Sequence, residues 1–463
     1  MNENTAVKAN PLATEKISKL IPKFAIPSII SGLVSASYNI VDQIFIGRSA
    51  GLLGNAATNV AFPIVTISLA IALLLGVGSA SNFSLELGRG HRENAGHTAG
   101  TGITFMVVSG VALAAFIFAL LRPLMTAFGA TEIVMPYALT YTSITARGIP
   151  FYILGTGGSH LVRADGSPKF AMISMTSGAV LNIILDPILI FGLNMGIAGA
   201  ALATTIGQIV SALLVLYYFS RFRTLKLTRE YLIPRFKNTV AIASLGMAAC
   251  FNQLAMTIVQ ITMNNTLTEY GAKSEYGSEI PLACVGVITK VSILLFAITL
   301  GIAQGCQPIN GYNYGAKNYG RVKETYRKAA ISATVVAVIA FLCFQLFPRQ
   351  IVSIFGEGSE AYYRFAEKYF RIFLMMTFLN GLQIITSTFL TSIGKATLGI
   401  FLSLTRQILF LLPLILLFPL FFGIDGVMYA GPIADGFAAA LAIFFVAREM
   451  RIMTRLEKCA NPA

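Results

Sequence analysis

The sequence predicts an all-α polytopic membrane protein with twelve transmembrane helices in two pseudo-symmetric six-helix bundles. Three observations carry that expectation. Apolar runs reach membrane-spanning length, basic and non-basic loops alternate, and one half of the chain repeats the other.

Of the 463 residues, 56% are hydrophobic and 12% charged, whereas a soluble domain carries about 25% charged residues. Runs such as 102–121, 178–193, 331–347 and 408–424 approach the roughly 20 residues that cross a hydrocarbon core. Barrel strands would alternate over about ten residues. These runs do not, so helices are expected to satisfy the backbone within the bilayer. A soluble enzyme is excluded on the same grounds. The opening "MNENTAVKANPLATEKISK" is polar and lacks a short apolar region with a small-residue cleavage site. It reads as a cytoplasmic amphipathic lead-in and not as a cleaved signal. The five cysteines form no C-x-x-C pair, and His91, His97 and His160 have no metal-ligand spacing. Neither disulfides nor a structural metal is expected.

The predicted spans are 17–46, 53–86, 97–121, 131–157, 167–192, 195–220, 237–267, 279–312, 322–347, 359–391, 396–420 and 423–450. The tenth begins with the charged, amphipathic residues Glu360, Arg364, Glu367 and Lys368. Loops after even-numbered spans are basic: Arg89 and Arg92, then Arg163 and Lys169, then "SRFRTLKLTREYLIPRFK", then Lys317 to Lys328. Loops after odd-numbered spans are poor in Lys and Arg. The positive-inside rule puts the basic loops and both termini in the cytoplasm of a cell membrane. The net charge of +14 is mostly this asymmetry, so no nucleic-acid partner is implied. The long sixth loop divides the chain into a bundle of residues 1–220, a linker of 221–236 and a bundle of 237–463.

The halves resemble each other. "LGVGSASNFSLELGRGHRENA" (75–95) aligns with "LGIAQGCQPINGYNYGAKNYG" (300–320), "TAFGAT" with "SIFGEG", and "GIAGAALA" (196–203) with "GIDGVMYA" (423–430), at offsets of 225 to 227. An even number of helices per half makes the repeat parallel, a plan found in transporters with a central cleft.

Charged groups at mid-membrane are costly and face a bundle interior or a water-filled path. Asp42 in "YNIVDQIFIG" and Asp186 in "NIILDPILIF" are two such groups. Asn182 lies one turn before Asp186 and Tyr38 one turn before Asp42, each on the same helix face. Pro187 has no N–H, so the Ile183 carbonyl one turn back is left free. Carboxylate, amide oxygen and free carbonyl suit a hard cation, and suit a proton equally. No basic residue is placed in the first-bundle interior to neutralise them. In the second half, Lys290 is a candidate cavity residue, and Arg406 with Asp435 a candidate ion pair. "GVGSA" and "GTGG" lack the GxxxxGK[ST] pattern of a phosphate loop. No ATP site or other cofactor is therefore expected, and energy would come from an ion gradient.

"YNIVDQIFIG", "RADGSPKFAMISMTSGAVLNIILDPILIFG", "GIAGAALATTIGQ" and "QGCQPINGYNYGAKNYGRV" resemble the multidrug and toxic compound extrusion (MATE) family over nearly the whole chain. The resemblance implies two six-helix bundles about a V-shaped cleft. It also implies an H⁺ or Na⁺ site at Asp42, Asn182, Asp186 and Thr204, the last from the resemblance alone. The second bundle offers Asn252, Gln253, Gln260, Asn380 and Gln383 where the NorM-type branch carries acids. "RQILFLLP" and "PIAD" look like the MepA-type or DinF-like bacterial branch. The implied activity is antiport, exporting amphipathic, mainly cationic organic compounds in exchange for H⁺ or Na⁺. It is expected of a monomer whose other partners are membrane lipids. Gln253, Met256, Met263 and Met375 are expected to line the cleft, flexible methionine suiting varied ligands. The alternative is a flippase or exporter of lipid-linked or metabolite substrates. That calls for a basic cluster in the cavity, which only Lys290 and Arg147 approach.

Overall fold

The computed structural model describes residues 10–354 and 359–460, and among these every regular element is helical. The polar lead-in lies outside the described residues up to residue 9, and so do residues 355–358 of the "SIFGEG" repeat. Twelve long elements stand where the spans were expected. They are α1 (Ile17–Gly51), α2 (Leu53–Gly88), α3 (Arg92–Ala119), α4 (Met135–Ala164), α5 (Pro168–Gly192) and α6 (Ile197–Phe219). The second half supplies α7 (Phe236–Ala272), α8 (Glu279–Gly315), α9 (Tyr319–Leu346), α10 (Glu360–Phe373 with Thr377–Ser392), α11 (Ala396–Phe422) and α12 (Ile424–Cys459).

Ten of these are each long and apolar enough to cross a membrane, and α10 qualifies as a pair bent by 49°. The remaining element, α4, has 30 residues but not the apolarity. The reason is visible in its packing: Thr142, Ser159, His160 and Arg163 are all buried against neighbouring helices. Much of its polarity points inward, with Arg147 and Thr140 exposed, so hydropathy understates it as a span.

The repeat is written into the loop conformations. Left-handed φ recurs at Gly51 and Gly277 (57° and 67°), Gly90 and Lys317 (84° and 60°), Gly166 and Gly394 (85° and 87°), and Gly196 and Gly423 (54° and 58°). The last pair starts α6 and α12, where only glycine enters this backbone region without strain. Short helices Leu121–Ala127 and Pro348–Ser353 follow α3 and α9 in the same way.

One core cluster lies wholly between Ile46 and Phe219 and another between Val259 and Ala434. A third joins Leu12 to Ala25, including the first turns of α1, to residues 302–453 of the second half. The halves meet through α1 on α8 and α2 on α7. Gly32, Ile29 and Ala25 of α1 face Ala297, Gly301 and Gly305 of α8 in antiparallel order. Gly78 and Gly246 abut the carbonyls of Ile242 and Leu74, the small-residue contact that membrane helices use to approach closely. Gln307 Nε2 of α8 donates to Ser81 Oγ of α2 at 2.6 Å. All these contacts lie toward the end where Arg89, Arg92, Lys317 and Arg321 emerge, called the basic end below.

The sixth loop crosses that end. Its turn Arg229–Leu232 lies on α3, where Thr104 Oγ1 donates to the Leu232 carbonyl at 2.7 Å. The Tyr231 ring packs edge-on to His97, 4.8 Å between centroids.

Candidate functional site

Asp42 is carried by the last third of α1, Asn182 and Asp186 by α5, and Thr204 by α6. The three helices converge so that the Asp42 and Asp186 carboxyls are neighbours, with the Tyr38 ring beside both. Asp42 is 7% exposed, Asn182 2% and Asp186 0%. Asn182 Nδ2 donates to Thr204 Oγ1 at 3.2 Å, so the residue that came from resemblance alone joins the others. Pro187 ends the regular part of α5, which continues as a π-helical turn over Ile188–Gly192. Such turns recur at functional positions. The half-buried Ile183 carries the carbonyl that Pro187 leaves without its usual donor.

The electrostatics follow from what is missing around these oxygens. Asp42 Oδ1, Asn182 Oδ1 and both Asp186 carboxylate oxygens are buried without a hydrogen-bond donor among the described residues. Neither carboxylate has a salt-bridge partner there; the ion pairs lie elsewhere. Two like charges side by side in a low-dielectric interior repel strongly, and buried acceptors without donors are costly. A proton or a hard cation relieves both penalties at once. Oxygen donors of this type fit Na⁺ as well as H⁺.

One further residue belongs here. Tyr141 of α4 is buried next to Asp42, Tyr38 and Asp186. A tyrosine in a membrane helix reads as packing, so sequence offers little to single it out. Beside the carboxylates lies a cavity of about 70 Å³. Ser35, Tyr38, Tyr152, Asn182, Thr204 and Gln208 contribute to its wall. That is room for a few water-sized groups.

The second-half candidates separate into different roles. Arg406 Nε donates to Asp435 Oδ1, and the side chain of Asn380 also reaches that carboxylate. The Asp435 side chain is 2% exposed. This is a buried, satisfied ion pair between α11 and α12, built where α11 carries a π-helical turn over Thr405–Leu411. Lys290 of α8 is exposed and has no ion-pair partner among the described residues. Gln253 and Met256 of α7 are half-buried, and Asn252 Nδ2 approaches Met256 Sδ at 3.7 Å. Met375 is 45% exposed and sits in the break of α10. The expectation for Met263 is corrected: it is 7% exposed and lies in a second-half core cluster, its sulfur accepting from the Tyr369 hydroxyl at 3.6 Å. Helical periodicity alone did not separate the core face of α7 from the other.

An all-helical fold with a doubled half, many apolar spans and inward-facing carboxylates has the plan of a multi-pass membrane transporter. The sequence pattern of the MatE family matches residues 27–188 and 248–417, well over half of the chain. The chain belongs to the MatE family. It is 26% identical over 431 residues to "Multidrug export protein MepA" of Staphylococcus haemolyticus, covering 93% of each chain. Its fold is that of a solved structure described as the outward-facing conformation of a multidrug resistance MATE family transporter of the MOP superfamily. There the TM-score is 0.90 at 23% identity, over 97% of this chain and 99% of that one. A MOP superfamily transporter from Pyrococcus furiosus matches at TM-score 0.88 and 23% identity, over 96% and 98% of the two chains.

Proposed function

We propose that this protein is a multidrug efflux antiporter. It exports amphipathic, mainly cationic organic compounds across the cell membrane in exchange for H⁺ or Na⁺ bound at Asp42, Asn182, Asp186 and Thr204. One observation carries the reading: four oxygens of Asp42, Asn182 and Asp186 are buried on two neighbouring helices with no protein donor and no basic partner among the described residues. That arrangement has a use if a mobile cation enters it. Occupancy changes the charge and packing between α1 and α5, and differential binding to two shapes is what antiport requires.

The functional division follows the repeat: residues 1–220 form the cation-binding half and 237–463 the partner half, with 221–236 as a tether. Both faces of the cleft come from one chain, so a monomer suffices. With the basic end and both termini placed in the cytoplasm, the halves are closed on the cytoplasmic side. Lys290, Arg406 and Asp435 take no part in coupling; the Arg406–Asp435 pair holds α11 to α12.

The test is efflux of ethidium from proteoliposomes under an imposed pH or Na⁺ gradient, for wild type, Asp42→Asn and Asp186→Asn. Gradient-driven efflux is expected in wild type and not in either variant. Undiminished efflux in both variants sinks the coupling assignment, and indifference of wild type to both gradients sinks antiport.

A further inference from the structure

The α1–α8 contact is closed at the basic end and opens with distance from it. On α8, Gly301 and Gly305 are buried against α1 and Ala297 is half-buried. At about 3.6 residues per turn, the same stripe continues through residues 294, 290 and 286. All three of these, Leu294, Lys290 and Gly286, are exposed, and nothing lies within 4 Å of a Cβ built on Gly286. The stripe on α1 behaves alike: Ala25 is buried, Ile29 and Gly32 half-buried, and its continuation reaches the exposed residues Asn39 and Gln43. Extending the antiparallel register 25/305, 29/301 and 32/297 brings residue 39 opposite residue 290 and residue 43 opposite residue 286.

Lys290 therefore stands on the second-half wall of the cleft, facing the helix that carries Asp42. It is a full positive charge with no acid paired to it among the described residues. The amides opposite also offer donors. Asn39 uses one N–H on the Ser35 carbonyl at 2.7 Å and also reaches the Tyr38 hydroxyl, whereas Gln43 Oε1 accepts from Thr58 Oγ1 at 3.5 Å and its amide N–H groups have no acceptor among the described residues. A lysine ammonium in a partly dry cleft attracts an anionic group and repels a purely cationic one.

We infer that the cleft has an anion subsite at Lys290, completed by the amides of Asn39 and Gln43, and that its preferred substrates are amphipathic zwitterions. This rests on the export reading above and narrows its substrate class. The carboxylate of such a compound meets Lys290, and its cationic part stays on the α1 and α5 side, where cation entry at Asp42 displaces it. A compound with the same cation but no carboxylate lacks that contact and binds more weakly.

The experiment compares rhodamine B, which has a free carboxylate, with rhodamine B ethyl ester, which keeps the cation and loses the anion. Binding to purified protein is read by fluorescence anisotropy without any gradient. Wild type is expected to bind the acid about tenfold more tightly than the ester, a charge-assisted contact's worth of affinity. The ratio is expected to fall to about one in Lys290→Gln and to persist in Lys290→Arg. Each variant is checked for monodispersity by gel filtration. Equal binding of the two dyes by wild type overturns the inference and leaves the export reading standing. So does an unchanged ratio in Lys290→Gln. Binding of neither dye overturns both readings.

Discussion

Arg163 of α4 donates through Nη1 to Gln304 Oε1 of α8 at 2.6 Å, joining the two halves of the chain. Its other acceptors are the hydroxyls of Ser28 at 3.4 Å and Ser159 at 3.3 Å. The side chain is 5% exposed and no carboxylate lies within ion-pairing distance among the described residues. A buried guanidinium is thus held by neutral oxygens alone, at the end of the molecule where the halves touch. In an alternating-access cycle this contact must break when the basic end parts. A hydrogen bond to a charged group contributes about 1.5–3 kcal/mol, enough to shift a two-state balance roughly tenfold or more. Gln304→Leu is predicted to favour separation there. The measurement is thiol labelling of Ser81→Cys in a background with the native cysteines replaced by serine. Ser81 accepts from Gln307 in the closed interface. Labelling no faster with Gln304→Leu than without it would remove Arg163 from gating.

The carboxylate pair makes a separate prediction about stability. A ligand that binds only the folded state stabilises it by about 2.7 kcal/mol at a hundred times its Kd, and so raises the melting temperature. The detergent-solubilised protein is therefore predicted to melt higher when the proposed coupling ion, H⁺ or Na⁺, is raised. Asp42→Asn and Asp186→Asn should abolish that response. Both should also melt higher than wild type in the absence of the ion, because each removes one of two crowded, donor-less carboxylates. Insertion scales put a mid-membrane acid at about 2.5–3.5 kcal/mol. An unchanged ion response in both variants is incompatible with the site.

Much of this was legible in the chain. Repeated glycines and basic loops announce the doubled fold; Asp42 and Asp186 stand out because charge in an apolar run is rare, and Asn182 because it lies one turn before Asp186. What escaped had no one-dimensional signal. Arg163 was counted among loop residues that orient the chain, since its burial depends on Gln304, 141 positions away. Tyr141 and Met263 are ordinary in membrane helices. Only the packing of α4 and α7 shows that one is buried near the carboxylates and the other fills a core. Thr204 needed the resemblance, because a threonine in a helix usually satisfies its hydroxyl on its own backbone.

The crossing of α2 on α7 predicts how the halves tolerate bulk. A Cβ on Gly246 overlaps the Leu74 carbonyl, whereas one on Gly286 meets nothing within 4 Å. Overpacking of a tight contact costs about 1–3 kcal/mol or more. Gly246→Val should lower the melting temperature by several degrees and abolish efflux, while Gly286→Val should leave the melting temperature close to wild type. Similar losses in both would mean that α8 does not diverge from α1 at that level.

The last prediction concerns the tether between the halves. Asp165, 2% exposed, closes α4 and anchors the chain that leaves α6. Its carboxylate accepts from the Tyr218 hydroxyl at 2.7 Å, the Arg223 amide at 2.7 Å, the Thr224 amide at 3.1 Å and the Thr224 hydroxyl. Four donors converge on two oxygens, so a neutral amide in that place puts an N–H against at least one of them. Asp165→Asn should cost about 1.5–3 kcal/mol locally and free the start of the sixth loop. Trypsin should then cut at Arg221, Arg223 or Lys226 markedly faster than in wild type. Asp425→Asn is the control. It breaks a partly exposed pair with Lys368 at 2.7 Å, a contact of the kind that contributes about 0–1 kcal/mol. Cleavage rates that rise equally in the two variants would show that the loop is held by something other than Asp165.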